Sequence, residues 1–179
     1  MRKFVTLLIL LMCAGAPAQD SAVVLASTSW VAAMALAAGA DQVGVIAPAG
    51  LVHPADYDPK PTDLLALSRA TLVLVGGYEA FVPRLRQALH SQARMLTVNT
   101  VHDPQVLRQE LAIIATALGT TGKAEAFADT YQRAWLAGTL RLRPRVRQRN
   151  PVVVVQRFMA PWAQLLGVKP VATFGPEPL

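Results

Sequence analysis

The stretch Leu51 to Pro61, LVHPADYDPKP, sets His53, Asp56, Tyr57 and Asp58 close together and stiffens the backbone between them with Pro54, Pro59 and Pro61. A neutral imidazole beside carboxylates is a ligand set for a divalent transition metal ion. The same residues also build turns, because Asp bonds its own backbone and Pro fixes φ. Both readings stand at this level. Two further groups could join such a site: Glu79, which follows Gly76-Gly77-Tyr78, and His102, which precedes Asp103. His90 closes a helix-like segment and reads as a surface residue. Catalytic chemistry has less support. There is no Gly-x-Ser-x-Gly elbow and no phosphate-cradling loop, since Gly76-Gly77 lacks the spacing and the trailing Lys-Ser/Thr. The polar residues point to binding and not to an enzyme.

These residues need elements to hold them. Ala22–Thr28 (AVVLAST) is a short Val-rich run, predicted as a buried parallel strand. WVAAMALAAGA reads as a helix stopped by glycine. QVGVIA is a second strand, and the proline-rich stretch follows it. Thr62 or Asp63 can cap the helix LLALSRA. TLVLVGG, the helix EAFVPRLRQAL with Pro83 in its first turn, and the strand ARMLTVNT complete a βαβαβαβ pattern. That pattern predicts a parallel sheet with helices on both faces. Ligands bind at the carboxyl edge of such sheets. His53, Glu79 and His102 follow the second, third and fourth strands, so periodicity alone lines them along one edge.

The first residues, MRKFVTLLILLMCAGAPAQD, join a basic start (Arg2, Lys3) to an apolar run too short to span a bilayer. Ala16-Pro17-Ala18 offers small residues for cleavage before Gln19, which reads as a secretory signal peptide over residues 1–18. Met12 before Cys13 disfavours a lipid anchor there. Cleavage would lower the net charge of +6 to +4 and remove the only cysteine. A metal would then rely on oxygen and nitrogen ligands. The chain of 179 residues is 53% hydrophobic and 16% charged, a composition that argues against disorder.

Asp103 and Pro104 read as N-cap and first turn of QVLRQELAIIATALG, with Gly119 ending it. KAEAFADTYQRAWLAGTLRLR is a second long helix, and Phe127, Tyr131 and Trp135 on one face read as core packing. RLRPRVRQRN carries five arginines at alternate positions from Arg141 to Arg149. In an exported protein this reads as a solvated helix end that complements the helix dipole, and not as a nucleic-acid site. PVVVVQ, FMAPWAQLLG and KPVATF then restart a strand–helix–strand pattern. Two strands and one short helix would leave Phe158, Trp162 and Leu166 partly exposed.

The block PAGLVHPADYDPKPTDLLALSRATLVLVGGYEAF resembles the metal loop of the TroA-like solute-binding proteins of bacterial zinc/manganese ABC importers. Tyr57, Asp58, Pro59, Pro61, Asp63, Ala70, Leu72, Val73, Gly77 and Glu79 match that family's pattern. HDPQVLRQELAIIATALG is similar to its second metal loop and helix, and VVVVQRFMAPWAQLLGV to the opening of its C-terminal lobe. The resemblance implies an α/β, two-lobed periplasmic metal receptor with parallel sheets and a long linking backbone helix, here with an incomplete second lobe. The implied divisions are the signal peptide (1–18), an N-terminal α/β lobe (19–103), a helical linker (104–150) and the start of a C-terminal α/β lobe (151–179). Ala124 to Arg143 fits the backbone helix, ended by Pro144. The implied ligand set is His53, His102, Glu79, Asp58 and Gln156. The implied cargo is zinc or manganese, with no organic cofactor. The implied partner is an inner-membrane ABC permease, for a monomeric receptor that neither binds nucleic acid nor inserts in lipid. Two alternatives stay open. One is a receptor for a metal chelate such as a siderophore or corrinoid, using Trp30, Tyr57 and Tyr78. The other is a degenerate, non-binding relative.

Overall fold

In the computed structural model, residues 23–175 are described. The signal-peptide reading, cleavage before Gln19 and Cys13 lie outside the described residues. The first strands are β1 (Val24–Ala26), β2 (Val43–Val45), β3 (Leu72–Val75) and β4 (Arg94–Thr97). They form one sheet in the order β2-β1-β3-β4 with every pairing parallel. Side chains alternate across it, as period-two geometry requires. Val24, Ala26, Leu72 and Leu74 join one core with Val31, Met34, Leu111 and Ile114. Leu25, Val73 and Val75 join the other with Leu67, Phe81 and Leu85. The first core belongs to helices α1 (Ser29–Ala37) and α4 (Pro104–Leu118), the second to α2 (Pro61–Leu67) and α3 (Val82–Ala88). The central strand β3 is buried along its whole length.

Local signals explain where these helices begin and end. The Asp103 carboxylate accepts from the Gln105 and Val106 amides at 2.8 and 3.2 Å, and Pro104 supplies the first-turn residue that needs no donor. Gly119 ends α4 at φ 73°, a left-handed conformation that suits glycine. The α2 helix starts earlier than predicted. Pro61 opens it, and Asp63 lies inside its first turn instead of capping it. Its carboxylate accepts from the Lys60 amide at 2.7 Å and from the Tyr57 hydroxyl at 2.9 Å.

The long helix α5 (Thr121–Arg149) also departs from expectation, because it runs through Pro144. The ring removes one backbone donor, a cost of about 3 kcal/mol in a helix interior, yet the helix continues to Asn150, whose φ of 41° closes it. At its start α5 packs on the first lobe through the small residues Ala124 and Ala128. There the Thr120 hydroxyl donates to the Ala38 carbonyl at 2.6 Å.

The aromatic face of α5 is not core. Phe127 is 43% exposed, and Tyr131 and Trp135 are half-buried. They form a ladder instead: Phe127 stacks on Tyr131, Tyr131 lies tilted against Trp135 at 5.8 Å, and Trp135 meets Trp162 edge-on at 6.0 Å. The small inner residues already seat the helix on the first lobe, so the aromatic stripe is left to bridge toward the second. That lobe holds β5 (Val154–Gln156), α6 (Ala160–Leu165) and β6 (Ala172–Phe174), with β5 and β6 parallel. Trp162 is exposed, and Phe158 and Leu166 are half-buried, as the strand–helix–strand reading expected.

Candidate metal centre

In the sheet order β2-β1-β3-β4 the chain leaves β1 toward one edge and β3 toward the other. The loops after these strands therefore part at the carboxyl edge and leave a crevice, the usual binding position of open α/β sheets. A cleft of about 390 Å³ opens there. Thr28 and Trp30 reach it from the β1 end, His53 and Asp56 from the β2 loop, and Tyr78 from the β3 loop. Thr100 and His102 reach it after β4, and Gln156 and Phe158 cross from the second lobe.

His53 stands just before a 3-10 turn, Pro54–Asp56, and its carbonyl accepts from the Asp56 amide at 3.1 Å. The turn tightens the loop so that His53, Ala55 and Asp56 all line the cleft. His53 is exposed. His102 is held more firmly. Its amide donates to the Phe158 carbonyl at 3.0 Å, a bond that joins the two lobes beside the cleft. Its ring lies 4.6 Å from that of Trp30. Burial lowers the His102 imidazole below its ordinary value, which keeps it neutral and able to donate a lone pair at pH 7.

On the β3 side the ring of Tyr78 lies 5.7 Å from that of Phe158. Its phenol is raised, mainly by burial and then by the Glu79 charge, against hydrogen bonds with Thr28 and Thr100 that act the other way. Gly76 makes this turn possible, because a Cβ there would collide with the Tyr78 ring.

Three of the five expected ligands, His53, His102 and Gln156, thus meet at one cleft. Asp58 does not reach it. It is exposed and forms an ion pair with Arg84 of α3. Glu79 does not line it either. The side chain turns inward and is buried, and one carboxylate oxygen accepts from the Ser27 hydroxyl and from the Gly76 amide, the latter at 2.9 Å. Its other oxygen, Oε2, is buried with no hydrogen-bond partner among the described residues. Among the described residues no three His, Cys, Asp or Glu side chains are grouped as a metal site. Sequence reasoning did not single out Thr28 and Thr100; each lies just beyond a strand's carboxyl end, which was the available signal.

Solved structures share this architecture. The Mn-bound periplasmic metal-binding protein of Candidatus Liberibacter asiaticus superposes with a TM-score of 0.61 at 17% identity, covering 87% of this chain and 70% of that one. Its Cd-bound form gives 0.61 at 18% identity, over 84% of this chain and 68% of that one. The metal-dependent lipoprotein YcdH of Bacillus subtilis gives 0.62 at 17% identity, over 87% and 68%. The chain therefore has the fold of periplasmic metal-binding proteins: two α/β lobes with parallel sheets and a long helix between them. No protein-family model and no curated protein matches the sequence. Among the described residues no helix is long and apolar enough to cross a membrane.

Proposed function

We propose that this chain is an exported receptor that takes a divalent transition metal ion, zinc or manganese, into the cleft between its lobes and passes it to an inner-membrane ABC permease. One observation carries the reading: two of the protein's three histidines, far apart in sequence, line the same cleft at the carboxyl edge of the sheet. His53 and His102 would supply imidazole nitrogens. The Asp56 carboxylate and the Gln156 amide oxygen are the oxygen donors at hand, and water completes the shell. The exposed His53 loop is the part able to move onto the ion, while His102, tied to Phe158, stays in place. The work is capture and release, with no bond made or broken in the cargo. The test is metal analysis of protein purified without chelator. A stoichiometric divalent metal supports the proposal, and protein that neither carries nor takes up zinc or manganese contradicts it.

A second reading has its own observation. Trp30, Tyr78 and Phe158 line the same cleft, and about 390 Å³ exceeds what a bare ion needs. That volume falls within the range of small-molecule sites, roughly 300–1,000 Å³. A metal chelate could lie against those rings. Calorimetric titration with the free ion and with a chelate separates the two, since a chelate receptor binds only the second.

A further inference from the structure

Charge is divided unevenly along the chain. Residues 130–176 contain eight Lys and Arg and no Asp or Glu, whereas residues 19–129 contain seven Lys and Arg against ten acids. Five of the eight are Arg141, Arg143, Arg145, Arg147 and Arg149 in the last turns of α5, and all five are exposed. No ion pair among the described residues involves any of them. The helix dipole accounts for cations in the final turn, where Arg147 and Arg149 lie. It does not account for a field extending over several turns, since the dipole's influence fades within one. Surfaces that serve solubility alone mix both signs.

Spacing adds a second feature. Leu136, Leu140, Arg143 and Arg147 follow one another at four-, three- and four-residue steps, which sets them on one face of α5. Leu136 is 57% exposed and Leu140 61%, and both arginines are exposed too. The adjacent side, about a quarter turn around the helix, holds Thr139, Leu142 and Val146, which are buried or half-buried. The helix thus turns an apolar and cationic strip outward with no acid in it. We propose that this strip docks the protein on an anionic phospholipid bilayer. Guanidinium groups pair with phosphate through two parallel hydrogen bonds. The leucines enter the boundary between headgroups and acyl chains, as on helices that lie in a membrane surface. A soluble polyanion would use the arginines and leave the leucines idle, so the leucines favour the bilayer. The strip rests on the surface and does not span it. The proposal is independent of the metal cleft.

The test is co-sedimentation of the purified protein with vesicles of phosphatidylcholine alone and of phosphatidylcholine mixed with phosphatidylglycerol. Binding is expected for the anionic vesicles only, and it should weaken as salt rises. Arg143→Gln with Arg147→Gln should lower vesicle affinity by roughly 30-fold, about 5-fold for each arginine removed. Arg69→Gln with Arg94→Gln makes the same charge change at exposed positions of the first lobe and should leave binding near the unsubstituted level. Leu136→Ser with Leu140→Ser should weaken vesicle binding but not binding to heparin. Equal affinities for the two arginine pairs, equal binding to neutral vesicles, or binding to heparin without vesicle binding would each overturn the proposal.

Discussion

The two lobes use the same alternation of strand and helix and reach different degrees of burial. In the first, β3 is buried at all four positions, and helices cover both faces of the sheet. In the second, β6 is exposed at all three of its positions and β5 at two of three. Among the described residues, the largest fully buried side chains all precede residue 115, and beyond Thr139 only Ala163 is a buried apolar residue. A parallel sheet is stable when both faces are covered. The first lobe therefore carries its own core, and the second depends on α5 and on the cleft contacts that tie it to the first. Binding at the cleft would then order the weaker lobe upon the stronger one.

The largest expected effect breaks the stronger side of this comparison. Leu74→Ala should cost about 2–5 kcal/mol, whereas Val154→Ala, at a site 58% exposed, should stay within about 0.5 kcal/mol. Urea unfolding of the two variants measures the contrast, and similar losses would erase the distinction between the lobes. Next in size is Ser27→Ala. It leaves the buried Glu79 carboxylate with the Gly76 amide as its remaining hydrogen-bond donor, at an expected cost of about 1–3 kcal/mol. Hydrogen exchange should report that loss in β1 and β3, with β5 and β6 already exchanging through local opening at a lower free energy.

The first lobe was legible because its signals are local. Val and Leu runs bounded by Gly or Pro gave the strands, and Asp103-Pro104 with Gly119 bounded α4 to the residue. The cleft was legible as far as topology reaches: strand ends place His53 and His102 on one edge. The fate of Asp58 and Glu79 was not, because it depends on partners distant in sequence. Arg84 lies 26 residues beyond Asp58, and Ser27 lies 52 residues before Glu79. The course of α5 was hidden for the opposite reason. Pro144 is a strong local stop signal, and the rest of the helix overrides it.

Smaller effects sharpen the junction. Asp103→Ala removes the cap that starts α4 right after His102 and should cost about 1 kcal/mol, read from thermal unfolding. The junction should also respond to pH. The folded protein holds His102 below the ordinary imidazole value near 6.5, so below that value the unfolded chain binds more protons than the folded one. Stability then falls as pH drops through this window and levels off above it. Denaturant midpoints between mild acid and neutral pH should show that slope, and His102→Gln should reduce it.

The cleft itself is tested most directly by competitive zinc titration of three single variants. His90 is exposed just beyond the end of α3 and does not line the cleft; its ring accepts from the Gln92 amide at 3.2 Å, and His90→Ala should bind as the unsubstituted protein does. His53→Ala and His102→Ala should each weaken zinc by at least about 10-fold, since loss even of groups that only orient a ligand costs about 10–100-fold. Equal affinities for all three variants would contradict a metal site between the lobes.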